Sequence, residues 1–172
     1  MFYVDMEFVL FPVPFIQNVM FSEDYLYVYR LGTVSQSVSR MGWYNNRKHH
    51  AIVILKLIEF AEKYRLRKIS PEKMEYLSNK VLGMVRWYYK VNTNYYPIKD
   101  FKIINELEEF ELKFVSKSKF YYGKSNCYNL IKILRISNLV LFKPLQIYFF
   151  IKRNVLRVYS INKCLMLRFG NK

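Results

Sequence analysis

Glycine and proline are scarce, five of each in 172 residues. So few turn formers disfavour a sandwich of many short strands and favour long helices. Cysteine is scarcer still. Cys127 and Cys164 lie far apart, with no C-x-x-C spacing, so neither a disulfide framework nor a zinc site is indicated, and a reducing compartment is expected. No uncharged apolar run reaches the roughly 18 to 20 residues that a bilayer span requires; the longest candidates are broken by Lys143 and by Lys152-Arg153. The apolar opening to Phe15 lacks the basic start of a secretory signal and carries Asp5 and Glu7. Acid is missing from the C-terminal third. Glu111 is the last carboxylate, and Leu112 to Lys172 contains thirteen Lys or Arg and no Asp or Glu. The preceding residues are nearly balanced, with fifteen basic and thirteen acidic, so this third holds almost all of the net charge of +15. Such a segment is drawn to a polyanion: an anionic membrane face, a nucleic acid or a phosphate-bearing substrate.

What is present is apolar and aromatic. Hydrophobic residues make up 52% of the chain, with 16 Tyr and 14 Phe, a composition that supports a core and excludes wholesale disorder. A short helix is expected between Asp5 and Phe11, stopped by Pro12 and Pro14. Asn18–Phe21 and Tyr25–Leu31 read as short strands around Ser22-Glu23-Asp24, the second with aromatics on alternate positions. Gly32–Ser39 reads as a polar loop.

Helical spacing then takes over. Trp43 to Lys68 places Ile52, Leu55, Ile58 and Phe60 at three-to-four intervals. Ser70-Pro71-Glu72 starts a second helix, with Ser as cap and Pro at the first position. Its stripe is Met74, Leu77, Val81, Met84, Val85 and Tyr88. A third is expected from about Ile98 to Phe114, faced by Phe101, Ile104, Leu107 and Phe110. Ser116 to Asn126 reads as a linker, followed by short basic helices over Cys127–Ile136 and Pro144–Val158 with a boundary at Lys143-Pro144. The fold class is thus α+β, predominantly α.

Three elements then stand in a telling order: Tyr3-Val4-Asp5-Met6-Glu7-Phe8, Tyr27-Val28-Tyr29-Arg30-Leu31-Gly32, and Gln36-Ser37-Val38-Ser39, followed by a basic helix containing His49 and His50. As a set they resemble the end of the catalytic domain of family 2 glycosyltransferases, which have the GT-A fold. The resemblance covers residues 3 to 60. It implies a short N-terminal helix and β-hairpin remnant of that domain over residues 1–40; helical patterning and charge mark a helical subdomain over 41–115 and a basic helical tail over 116–172. The sequence departs from the family pattern in two ways. No Asp-x-Asp element, which in the family holds the divalent metal (Mg or Mn) and the donor diphosphate, precedes Asp5. The acidic position reads Val-Asp, which leaves Asp5 as the single matching carboxylate. Because Gln36 opens Gln-Ser-Val-Ser-Arg, a processive synthase is not implied.

Under the resemblance Asp5 is the catalytic residue. An inverting sugar transfer needs a carboxylate in hydrogen-bond reach to take the proton of the attacking acceptor hydroxyl. The plainer reading is that Asp5 caps the helix behind it, where the helix dipole favours a negative charge; the two are compatible. Glu7 does not share its face. Arg30, Gln36 and Ser37 are the substrate-binding candidates, Arg30 because a guanidinium binds phosphate oxygens bidentately. Arg47 and Lys48 read as a solvated basic face. His49 and His50 point about 100 degrees apart on a helix and do not serve one site.

The expected function is that of a truncated family 2-like transferase, ancestrally moving a sugar from a nucleotide donor to a hydroxyl acceptor in cell-surface glycan synthesis, and inactive alone. No metal site and no cofactor are expected within this chain. The partners implied are a separate donor-binding half or a second copy, an anionic membrane surface, and a nucleotide sugar only when the donor half is supplied. The expected location is cytoplasmic, peripheral at the inner membrane face. Without its donor half, Phe8, Phe11, Phe15 and Val19 would lie uncovered. The rival is a non-catalytic basic helical protein on an anionic membrane or partner. Nucleic-acid binding rests on charge alone, with no recognition signature beside it.

Overall fold

The computed structural model describes residues 5–20, 23, 40–94 and 99–169, with residues 40–41 and 156–169 described as backbone. Eight helices lie among them: α1 (Asp5–Leu10), α2 (Arg40–Asn45), α3 (Arg47–Leu66), α4 (Pro71–Asn94), α5 (Lys102–Lys117), α6 (Lys119–Lys124), α7 (Asn129–Ile136) and α8 (Phe142–Phe169). Two 3-10 turns, Val13–Phe15 and Ser125–Cys127, complete the set. The predominantly helical expectation holds. No strand occurs among the described residues. Asn18 to Met20 form no regular element, and the Tyr25–Leu31 strand expected from sequence lies outside the described residues.

Helix α4 is the axis. Ser70 and Pro71 start it as the sequence predicts, and the Ser70 carbonyl accepts the Met74 amide at 3.0 Å. Of the predicted stripe, Leu77, Val81, Met84, Val85 and Tyr88 are buried and Met74 is half-buried, and Leu82, Tyr89 and Val91 widen the buried face. So broad a buried face needs cover from several sides, and α3, α7, α8 and the Val13–Phe15 turn supply it. Helix α3 turns Val53, Ile54, Leu57, Ile58, Ala61 and Tyr64 inward. This corrects the expected stripe: Ile52 is exposed and Leu55 only half-buried. Residues 51–58 read Ala-Ile-Val-Ile-Leu-Lys-Leu-Ile, so several registers are equally apolar and packing against α4 chooses one. Lys68 ends the helix in the left-handed region at φ 52°. Helix α5 shows a similar shift. Ile103, Leu107, Phe110 and Phe114 face the core, whereas Phe101 is exposed beneath the Lys143 ammonium at 4.6 Å.

Rings form a continuous spine across these helices. Trp43 meets His50 at 4.7 Å, His50 meets Tyr88 at 5.5 Å and Tyr88 meets Phe110 at 4.5 Å. Phe110 meets Phe114 at 5.8 Å, and Phe114 meets Tyr122 at 5.5 Å. Tilted and edge-on pairs at such spacings add about 0.5–1.5 kcal/mol each beyond their buried area.

The segment expected as a linker is folded. Ser118 caps α6 by accepting the Tyr121 amide at 3.0 Å and donates to Glu62 at 2.9 Å. Tyr121 is fully buried, and its hydroxyl shares a hydrogen bond with Ser78 at 3.0 Å. The polar, lysine-rich composition of Ser116–Asn126 concealed one inward tyrosine. The predicted boundary at Lys143-Pro144 also moves. Both residues sit in the first turn of α8, where a missing Pro amide costs no helical bond. The break lies before it, at the left-handed pair Asn138 (φ 46°) and Leu139 (φ 63°).

Arg135 ties these parts together. Its guanidinium donates to both Glu111 oxygens, at 2.8 and 3.2 Å, and to the Tyr122 carbonyl, Ser125 Oγ and Asn126 Oδ1, each at 2.8 Å. It also stacks 3.6 Å from the Tyr122 ring centroid. Arg135 and Glu111 are both nearly buried, so removing one strands the other. Arg135→Ala is expected to cost about 3–5 kcal/mol, read as a lowered urea midpoint. A loss under 1 kcal/mol would show that this knot is not a structural requirement.

Candidate functional site

Asp5 begins α1 and is exposed. Its helix is fixed by the residues behind it. Leu10 and Val13 are buried, and the Phe11 ring lies 4.6 Å from Phe60. Phe15 meets Tyr64 edge-on at 5.8 Å, and Lys73 donates to the Pro14 carbonyl at 3.2 Å. The segment therefore clamps onto α3 and the start of α4 and presents Asp5 at its leading end. Glu7 turns back toward α3 and pairs with Lys56 at 3.4 Å. The two acids diverge, as their spacing predicts. The outer side of this segment is uncovered: Phe8 is 82% exposed, Phe15 69%, Val19 65% and Met20 94%.

Arg30, Gln36 and Ser37 lie outside the described residues. His49 and His50 separate as expected, His49 half-buried and His50 buried between Trp43 and Tyr88. Among the described residues, no three His, Cys, Asp or Glu side chains converge as a metal site.

Arg47 departs from expectation. Instead of lying on a solvated face it donates to Glu106 through Nε at 2.6 Å and Nη2 at 3.0 Å, with Asp100 at 3.7 Å. Tyr44 donates to the same Asp100 at 2.9 Å, and Lys143 reaches its carbonyl at 2.8 Å. Burial opposes the charge on Arg47, but the bonds to Glu106 and the nearby Asp100 outweigh it and raise its pKa. Lys48, in contrast, is exposed. The partners stand 59 positions apart, and no local pattern announces them. Every charge in this cluster is opposed by another, which suits a clasp between α2, α3 and α5. The groove beside it is bounded by Lys48, Ile52, Tyr88, Glu106, Glu109 and Lys113. Its acids are likewise matched by lysines, Lys48 with Glu106 and Lys113 with Glu109. The one open carboxylate that the sequence singles out is Asp5.

No protein family matches the chain, and no curated protein and no solved structure matches it either. The assignment of function therefore rests on the residues themselves.

Two outcomes follow from this geometry. Burial lowers His50 from 6.5 to about 3, so the folded protein keeps it neutral while the unfolded chain takes up a proton below about pH 6.5. Its contribution is complete above that pH and is lost as pH falls toward 3, at up to about 1.4 kcal/mol per pH unit. Between pH 7.5 and 5 the urea midpoint should fall more steeply for the wild type than for His50→Phe; parallel curves would place the imidazole in water. A double-mutant cycle on Arg47→Met and Glu106→Gln should give a coupling of about 1–3 kcal/mol. A cycle that closes to zero would mean the clasp is not formed.

Proposed function

We propose that this chain is the acceptor-side portion of a family 2 glycosyltransferase, acting in the transfer of a sugar from a nucleotide donor to a hydroxyl acceptor in cell-surface glycan synthesis. The observation that carries it is the ordered set of Asp5, Tyr27-Val28-Tyr29-Arg30 and Gln36-Ser37-Val38-Ser39 ahead of a basic, histidine-containing helix. Two structural features support the reading. Asp5 opens a helix that is anchored from behind and accessible in front. The apolar side of the same segment is bare, as a surface covered by another half of a transferase would be.

In this reading the acceptor oxygen attacks the anomeric carbon, the bond from that carbon to the diphosphate breaks, and Asp5 takes the hydroxyl proton. Arg30, Gln36 and Ser37 bind substrate. The divalent metal used by such transferases offsets the charge of the departing diphosphate. The residues here do not fit it: Glu7 is turned away toward Lys56, and the 172 residues contain no Asp-x-Asp element. Donor and metal binding belong to a separate segment or chain. Catalysis depends on holding both reactants together, so these 172 residues alone do not turn over a sugar nucleotide.

Fusing a donor-binding GT-A half ahead of Met1 tests this. The fusion should transfer sugar from a labelled nucleotide donor in the presence of Mg or Mn, and Asp5→Asn should lower kcat by about 100-fold or more with helicity unchanged. Transfer that is insensitive to Asp5→Asn, or turnover by the unfused chain, overturns the reading.

A further inference from the structure

Helix α8 is held to the protein along one side. Phe142 and Gln146 are buried, Gln146 donates to the Asn92 carbonyl at 2.9 Å and Arg153 donates to the Asn94 carbonyl at 2.6 Å. These positions fix the rotation of the helix. Its opposite side therefore carries Pro144, Ile147, Tyr148, Ile151 and Val155, at the three-to-four spacing of one helix face, and all five are exposed, as is Leu141 just before the helix. Exposed Lys152 stands at the edge of this stripe, and Val140 extends it into the preceding turn.

We infer that this outer face of α8 docks the protein on an anionic lipid bilayer, lying in the interface rather than crossing it. Three observations on charge and length select that occupant. No carboxylate occurs anywhere from Leu112 to Lys172, and α8 contains Lys152, Arg157, Lys163 and Arg168 beside Lys143 and Arg153, which bond the Asp100 and Asn94 carbonyls. Positive charge spread over a whole third of the chain complements an extended anionic plane, where each Lys or Arg near the surface adds about fivefold to binding. At 28 residues the helix is about 42 Å long. No helix among the described residues is long and apolar enough to cross a membrane. An amphipathic helix with cations beside an apolar stripe instead sinks that stripe to the headgroup and acyl boundary, a depth that suits the ring and hydroxyl of Tyr148.

The other occupants fit less well. A second copy would bring exposed Lys152 to the contact with no carboxylate in the stripe to answer it. A nucleic acid would answer the cations and leave Ile147, Ile151 and Val155 without an apolar partner.

Co-sedimentation of the intact chain with vesicles decides the matter without any sugar substrate. Phosphatidylcholine vesicles containing phosphatidylglycerol should bind the protein, neutral phosphatidylcholine vesicles should bind it far less, and high salt should reverse binding. The pair Ile147→Ser and Ile151→Ser, both exposed and outside the core, should weaken partitioning by about tenfold or more. Lys152→Ser should weaken it by about fivefold. Unchanged helicity by circular dichroism keeps folding out of the comparison. Equal binding to neutral and anionic vesicles, or undiminished binding by the Ile147/Ile151 variant, overturns the inference. So does binding to RNA or an acidic peptide with none to either vesicle.

Discussion

The fold depends on the impossibility of leaving α4 in water. Eleven of its residues are buried, far more than one neighbouring helix can cover. Cover therefore comes from the full length of the chain: the Val13–Phe15 turn, α3, α7 and α8 all lie against it. The nonpolar area removed from water is the main stabilising contribution, and the tyrosines of α4 take part in it. Tyr88 and Tyr89 are both buried against Phe110, and burial raises the pKa of Tyr88 well above its usual range. A tyrosine-rich sequence thus builds the kind of core that leucine builds elsewhere.

Around that core, two buried arginines act as clasps. Arg47 joins α3 to α5 through Glu106, and Arg135 joins α7 to α5 through Glu111, to α6 through the Tyr122 carbonyl and to the Ser125–Cys127 turn through Ser125. A buried guanidinium is tolerated only when its charge is matched and its donors are occupied. Arg135 meets that condition with five hydrogen bonds and an aromatic face. The short elements between Ser118 and Ile136 are too small to bury much area alone, and the satisfied arginine accounts for their defined arrangement.

Among the described residues, exposed apolar side chains gather on the outer side of α1 and its following turn and on the outer face of α8. Each lies away from α4, and neither is needed for the core. The first carries Asp5 and is apolar with little positive charge. The second is apolar among cations. Their difference in charge separates the roles proposed for them, a protein contact near the chemistry and a lipid contact at the other end of the chain.

Composition and pattern alone determined the helical class, the start of α4 at Ser70-Pro71, most of the inward stripe of α4 and the short α1 ended by Pro12. These rest on local physics: capping, proline geometry and a single unambiguous apolar period. Asp5 was singled out through a family resemblance carried by a contiguous motif. The tertiary structure alone decided the register of α3, since Ala51 to Leu55 is apolar at every position. It also decided that Ser116–Asn126 folds around Tyr121, that Phe101 faces out, and that Arg47 leaves the solvated face for Glu106. Each of those outcomes is set by a partner more than forty residues away or by competition between neighbouring faces. Such long-range pairings are chosen by the packing of the whole chain, so no local window of sequence contains them.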